Sequence, residues 1–148
     1  MGAVPQASSC EGPEPDRGSR LLVLAARLAG RDGARAALAL AQAGVASEGA
    51  VAFLAAVALL RLGSCGTIAL RAPGASALSR DEQMLVDAVA ALQRGAPWRA
   101  QRVVAEWLSP NLAVRGIALL ATAAAAFARA GLLLRPGSLG ALPRHGNA

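Results

Sequence analysis

The chain reads as an all-α protein, a compact bundle of five to six helices. Alanine and leucine dominate its 148 residues, and alanine is the best helix former and a poor strand former. β-Branched and aromatic residues are scarce, the aromatics being Phe53, Phe127, Trp98 and Trp107. Between the apolar runs stand the serine, aspartate, proline and glycine residues that start and stop helices. The length suits one domain with a substantial core.

Residues 1–18 are rich in proline, glycine and serine and read as a disordered leader; 136–148 read as a frayed tail. The folded domain is then 19–135. A first helix spans about 19–29 and stops at Gly30. Asp32 is the N-cap of a second, which runs to about 43 and stops at Gly44. A third takes Ser47 as N-cap and Glu48 in its first turn, and ends at 61–63. Its residues 49–60 are apolar all round, which predicts a central helix enclosed on every side, with Phe53, Val57 and Leu60 buried.

Residues 63–78 form a long connection, with an extended piece expected at 67–71. Ser79-Arg80-Asp81-Glu82 is a capping box and opens the next helix, in which Leu85, Val89 and Leu92 make the apolar stripe. Gly95 stops it. Pro97 begins a helix to about Leu108, with Arg102 and Glu106 at i,i+4 and Val103, Val104 and Trp107 facing inward. Ser109 and Pro110 start the last helix, which runs to Ala130 and stops at Gly131. Asn111, Arg115, Thr122 and Arg129 cluster on its wheel, so one narrow polar stripe is expected, with the rest buried. Residues 32–62 and 97–131 share a hairpin pattern that aligns Arg35 with Arg99, a weak internal repeat. The simpler reading is an ordinary bundle.

The net charge of +6 comes from fifteen arginines against nine acidic residues, with no lysine. Residues 20–135 carry thirteen arginines and six acids, about +7. Such an excess suits nucleic acid, an acidic partner or an anionic membrane, but arginine and alanine usage of this kind also follows from the codon bias of a GC-rich bacterial genome. No secretory signal is evident, since the run 21–24 follows an acidic leader and Arg27 interrupts it. The uncharged runs 49–60 and 116–128 fall short of the roughly twenty residues a membrane span needs. A cytoplasmic location is the expectation, and integral insertion is not.

Chemistry has little to work with. The one histidine, His145, lies in the tail. Cys10 is in the leader and Cys65 stands alone, without the spacing of metal ligands; a small buried hydrophobe is the expected role of Cys65. No base accompanies Ser64 or Cys65, and Gly63-Ser64-Cys65-Gly66 fits neither a nucleophile elbow nor a phosphate loop. Asp81 and Glu82 are accounted for by capping and the helix dipole. No catalysis, metal or cofactor is expected.

The leading expectation is therefore a non-catalytic protein–protein interaction module, an adaptor or assembly subunit. Its candidate contact residues are Trp98, Arg99 and Arg102, because tryptophan and arginine are favoured at binding hot spots; the competing role for Trp98 is packing in the first turn of its helix. A small basic DNA-binding regulator is the alternative, with 79–108 as a helix-turn-helix-like segment presenting Arg99, Gln101 and Arg102. A membrane-associated helical protein is the third.

Overall fold

The structure, a computed structural model, describes residues 16–64 and 68–135. Among them are six helices and no strand: α1 (Arg17–Ala29), α2 (Gly33–Gln42), α3 (Ser47–Gly63), α4 (Arg80–Gln93), α5 (Pro97–Ala105) and α6 (Pro110–Arg129). The predicted fold class holds. The helix boundaries hold to within two or three residues.

Local chemistry explains most of the ends. Asp16 caps α1, its carboxylate accepting from the Ser19 amide at 2.7 Å, so the helix begins before residue 19. Asp32 caps α2 in the same way through the Arg35 amide. Gly44, Gly95 and Gly131 each follow a helix with φ of 92°, 76° and 81°, the left-handed conformation that glycine adopts without steric cost. Ser79 and Glu82 complete the capping box. Ser47 is not an N-cap: Ala46 occupies that position and Ser47 is already helical. No extended pairing forms at 68–71, and Thr67 with Cys65 lies outside the described residues, as do 1–15 and 136–148.

The core is continuous, running through Leu22, Leu40, Phe53, Leu60, Leu85, Val89, Val104, Leu120 and Phe127. Phe53 and Phe127 meet in a tilted ring pair with centroids 6.0 Å apart. At the centre α3 and α6 run antiparallel. Gly49 lies against Ala126, Leu59 against Gly116, and Gly63 against Leu112. Small residues at these crossings let the two helices approach closely. A Cβ on Gly49 would collide with that of Ala126, so Gly49→Ala is expected to cost about 1–3 kcal/mol in chemical denaturation.

Around this pair the contacts of the first three helices recur in the last three. α1 packs on α2 as α4 does on α5, α2 on α3 as α5 on α6, and α1 on α3 as α4 on α6. Equivalent helices then pair with each other, α3 with α6 and α1 with α4. The register that aligns Arg35 with Arg99 places Ala36 on Ala100 and Leu40 on Val104, all four fully buried. The repeat in the sequence is thus a repeat of packing, and it extends one helix further back than 32 and 97.

The segment after α6 returns to the start of the chain. Leu132 and Leu134 are buried, and both contact Gly18. Gln93 clamps them, accepting from the Leu134 amide at 2.8 Å and donating to the Leu132 carbonyl at 3.0 Å. The Arg135 amide donates to Asp16 at 2.9 Å.

Two burial expectations need correction. Phe53, Val57 and Leu60 are buried as predicted. However, α3 is not enclosed on every side: Val51 is 67% exposed and Leu62 87% exposed. Nor does α6 bury all but a polar stripe, since Val114 is 74% exposed and Ala118, Ala121 and Ala125 are exposed beside it. An alanine-rich wheel looks apolar in all directions, so it does not reveal which arc has no partner.

Candidate interaction surface

Three places concentrate unusual side chains. The first is internal. Arg27 and Glu82 form a buried two-point ion pair, with Nε to Oε2 at 2.8 Å and a second guanidinium nitrogen to Oε1 at 2.9 Å. Their side chains are 4% and 0% exposed. Glu82 also accepts from the Ser79 and Arg71 amides at 2.9 and 2.7 Å. Arg27 also donates to the Ala75 and Ala77 carbonyls at 2.9 and 3.1 Å. Asp81 accepts from the Ala69 amide at 2.7 Å and from the Trp107 indole at 3.2 Å. Together these bonds fasten the 68–79 connection between α1 and α4.

Burial pushes the Glu82 carboxyl up, but the Arg27 guanidinium and the two amides outweigh it and hold the group below its ordinary value. The bond to Glu82 raises Arg27 against the opposing effect of its burial. All three guanidinium nitrogens and both Glu82 carboxylate oxygens have partners within the chain. The capping roles of Asp81 and Glu82 were legible in the sequence. Their long-range partners were not, because residues 27 and 82 are far apart and an arginine inside an apolar run gives no sign of where it points.

The second place is the predicted contact surface. Trp98, Arg99 and Arg102 are all exposed on α5, with Trp98 at 59%. Trp98 therefore does not pack into the core, whereas Trp107, in the turn after α5, is buried. Asp87 on α4 lies near Arg99 and Arg94. Burial raises its carboxyl, and the two guanidiniums only partly offset that. Gln101 is exposed on the same helix, but α5 is short and α6 begins four residues after it.

The third place was not singled out in the sequence. On α3 the exposed residues include Val51, Ala55, Ala58 and Leu62; on α6 they include Val114, Ala118, Ala121 and Ala125. Each set follows the spacing i, i+4, i+7, i+11, which is the seam of a coiled coil. Taking 100° per residue, each helix presents three arcs in the same rotational order: toward the other helix, toward the core, and toward solvent. Because the helices are antiparallel, this order puts both solvent stripes on one side of the pair. They remain two separate strips, because the polar arc of α6 (Asn111, Arg115, Thr122 and Arg129) stands between its apolar stripe and α3. A depression of about 230 Å³ beside the α3 stripe is lined by Gly30, Leu54, Val57, Arg61 and Leu62. It is smaller than most ligand cavities and contains no nucleophile or acid.

Among the described residues, no three potential metal ligands come together. α6, at 20 residues, holds an 18-residue stretch of mean hydropathy 1.6, one third of it buried in the fold, and is by length and composition apolar enough to cross a membrane, although the uncharged run inside it is shorter. Nothing matches this chain among protein-family models, curated proteins or solved structures.

Proposed function

We propose that this protein is a non-catalytic helical interaction module, an assembly subunit that works by holding another protein. The supporting observation is the pair of exposed apolar stripes on α3 and α6. Val51, Leu62 and Val114, set among alanines at coiled-coil spacing and left in water on the two central helices, are what a helical partner covers. The predominance of alanine between them favours a protein partner over lipid. Alanine gains little from entering a bilayer, but it lets helices pack closely, as α3 and α6 already do through Gly49, Gly116 and Ala126.

Site-specific photo-crosslinking in cells tests this reading. A benzophenone side chain at position 58 or 118 is expected to give a discrete protein adduct. The same group at Ala34, exposed on α2, is expected to give none. Adducts at 98 and none at 58 or 118 would move the contact to the Trp98, Arg99 and Arg102 surface. Adducts at none of these positions would contradict the proposal. Binding of duplex DNA that weakens steeply with salt, in the absence of any protein adduct, would instead favour the regulator reading, since phosphate contacts release counterions.

A further inference from the structure

The fold is one pattern built twice and closed on itself, and the closure shows what each half fits. The shift that sets Arg17 on Arg80 sets the N-cap Asp16 on the N-cap Ser79, and the buried Leu22 and Val23 on the buried Leu85 and Val86. The same shift sets Ala46, the N-cap of α3, on Ser109, the N-cap of α6. It also turns the contact of Gly49 with Ala126 into that of Leu112 with Gly63, with the halves interchanged, as a two-fold axis requires. The segment that trails each half reaches the other. After α3, Ile68 is buried and Ala69 bonds to Ser79 and Asp81 at the start of α4. After α6, Leu134 is buried and the Arg135 amide donates to Asp16 at the start of α1. The halves 16–71 and 79–135 therefore close on each other through matching surfaces, and the mostly exposed strap 72–78 joins them.

We propose that the halves exchange between copies of the chain. Residues 16–71 of one copy close on 79–135 of a second, and the second copy returns the same pairing. Every contact between halves is kept, and the strap runs from one two-fold unit to the next instead of turning back. Extended, 72–78 reaches roughly 25 Å, enough to join two adjacent units. In the single chain the strap turns back with the Ala75 amide donating to the Ala72 carbonyl at 2.9 Å, and Arg27 fastens it at Ala75 and Ala77. Such a tether gives each half an effective concentration of about 1 mM for the other, which sets the chain concentration at which exchange competes. An exchanged dimer then outlasts dilution, because leaving it opens the α3–α6 core. The solvent-facing stripes stay uncovered in this pairing, so it goes beyond the module reading and does not depend on it.

The Arg27–Glu82 pair supplies the test, since it crosses between the halves and occurs once. Across the two-fold its places are taken by Ala90 and Ser19, buried without charge, so the fold accepts an uncharged pair there. Arg27→Met and Glu82→Gln each strand a charge in the single chain. An exchanged dimer with one chain of each strands none: one unit holds the native pair and the other holds neither charge. The full-length variants are refolded from denaturant singly and as an equal mixture at about 10 µM, and the wild type at about 10 µM and at about 1 mM. Sedimentation velocity gives the mass, and circular dichroism gives helix content and melting temperature. The wild type is expected to be monomeric at the lower concentration and partly dimeric at the higher. The mixture is expected to yield a mixed dimer that melts above either variant alone and is enriched at least about a hundredfold over the dimer of either. A variant that fails to fold by itself does not blur this, because only exchange then recovers helix from the mixture. A dimer made by surface contact keeps both stranded charges and melts as the variants do, which overturns the proposal. So does a mixture that behaves as its two components, or a wild type that is monomeric at both concentrations.

Discussion

Phe53→Ala is expected to destabilise the protein by about 3–5 kcal/mol in chemical denaturation, the range for removing a buried phenylalanine. Phe53 is fully buried and stacks obliquely on Phe127, joining α3 to α6 where the two halves of the fold meet. Little surrounds this ring that can collapse into the space it leaves. The core cluster it belongs to is rich in small side chains, Ala56, Ala123 and Ala124 among them, so the cavity stays open. Phe127→Ala removes the other half of the pair and is expected to fall in the same range. The double variant should cost less than the two together, because the ring contact is lost only once. A loss under about 1 kcal/mol for either single variant would mean that the α3–α6 pair is not the centre of the core.

Glu82→Gln is the second large effect, expected at about 3–5 kcal/mol. It leaves the Arg27 guanidinium buried without a countercharge, and removing one member of a buried pair costs far more than the intact pair contributes. Arg27→Met leaves the Glu82 carboxylate in the same position and is expected to cost a similar amount. Together the two changes should be markedly less harmful than the sum, because neither charge is then stranded. The pair also sets an acid limit. The folded-state carboxyl of Glu82 titrates below its unfolded value, so its contribution is complete above the ordinary carboxylate range. That contribution is lost as pH falls through the lower, folded-state value. Wild-type stability should therefore drop on acidification, and the Glu82→Gln protein should show a shallower drop. Equal slopes would place the acid sensitivity elsewhere.

The fold was legible in the residues that cap helices and in those too large to leave in water. Asp32, Ser79 with Glu82, Pro97 and Pro110 mark helix starts because each satisfies or removes a free amide at a fixed offset. Phe53 and Leu60 mark the core because they are large and stand in an uncharged run, and Val104 because it shares an inward face with Trp107. Alanine carries neither signal. It is helical everywhere and indifferent to burial, so the wheels of α3 and α6 hid their solvent-facing arcs, and the stripes on them emerged only when the helices were paired. The Arg27–Glu82 pair escaped for another reason: a bond between residues 55 apart has no local periodicity. Trp98 was recognisable as different from Trp107 because the helical period sets them on opposite sides, and the two do part company in exposure.

The central claim is that one side of the α3–α6 pair belongs to a partner and not to the fold of the single chain. Photo-crosslinking in cells from position 62 of the Ala58→Glu, Ala121→Glu double variant, set beside its thermal unfolding, tests it most directly. Both positions are exposed. The account predicts that the protein adduct is lost while helix content stays that of the wild type, with a melting temperature equal to or a little below it, because a partner held by the folded chain adds stability. A variant that unfolds, or that keeps the adduct, would contradict it.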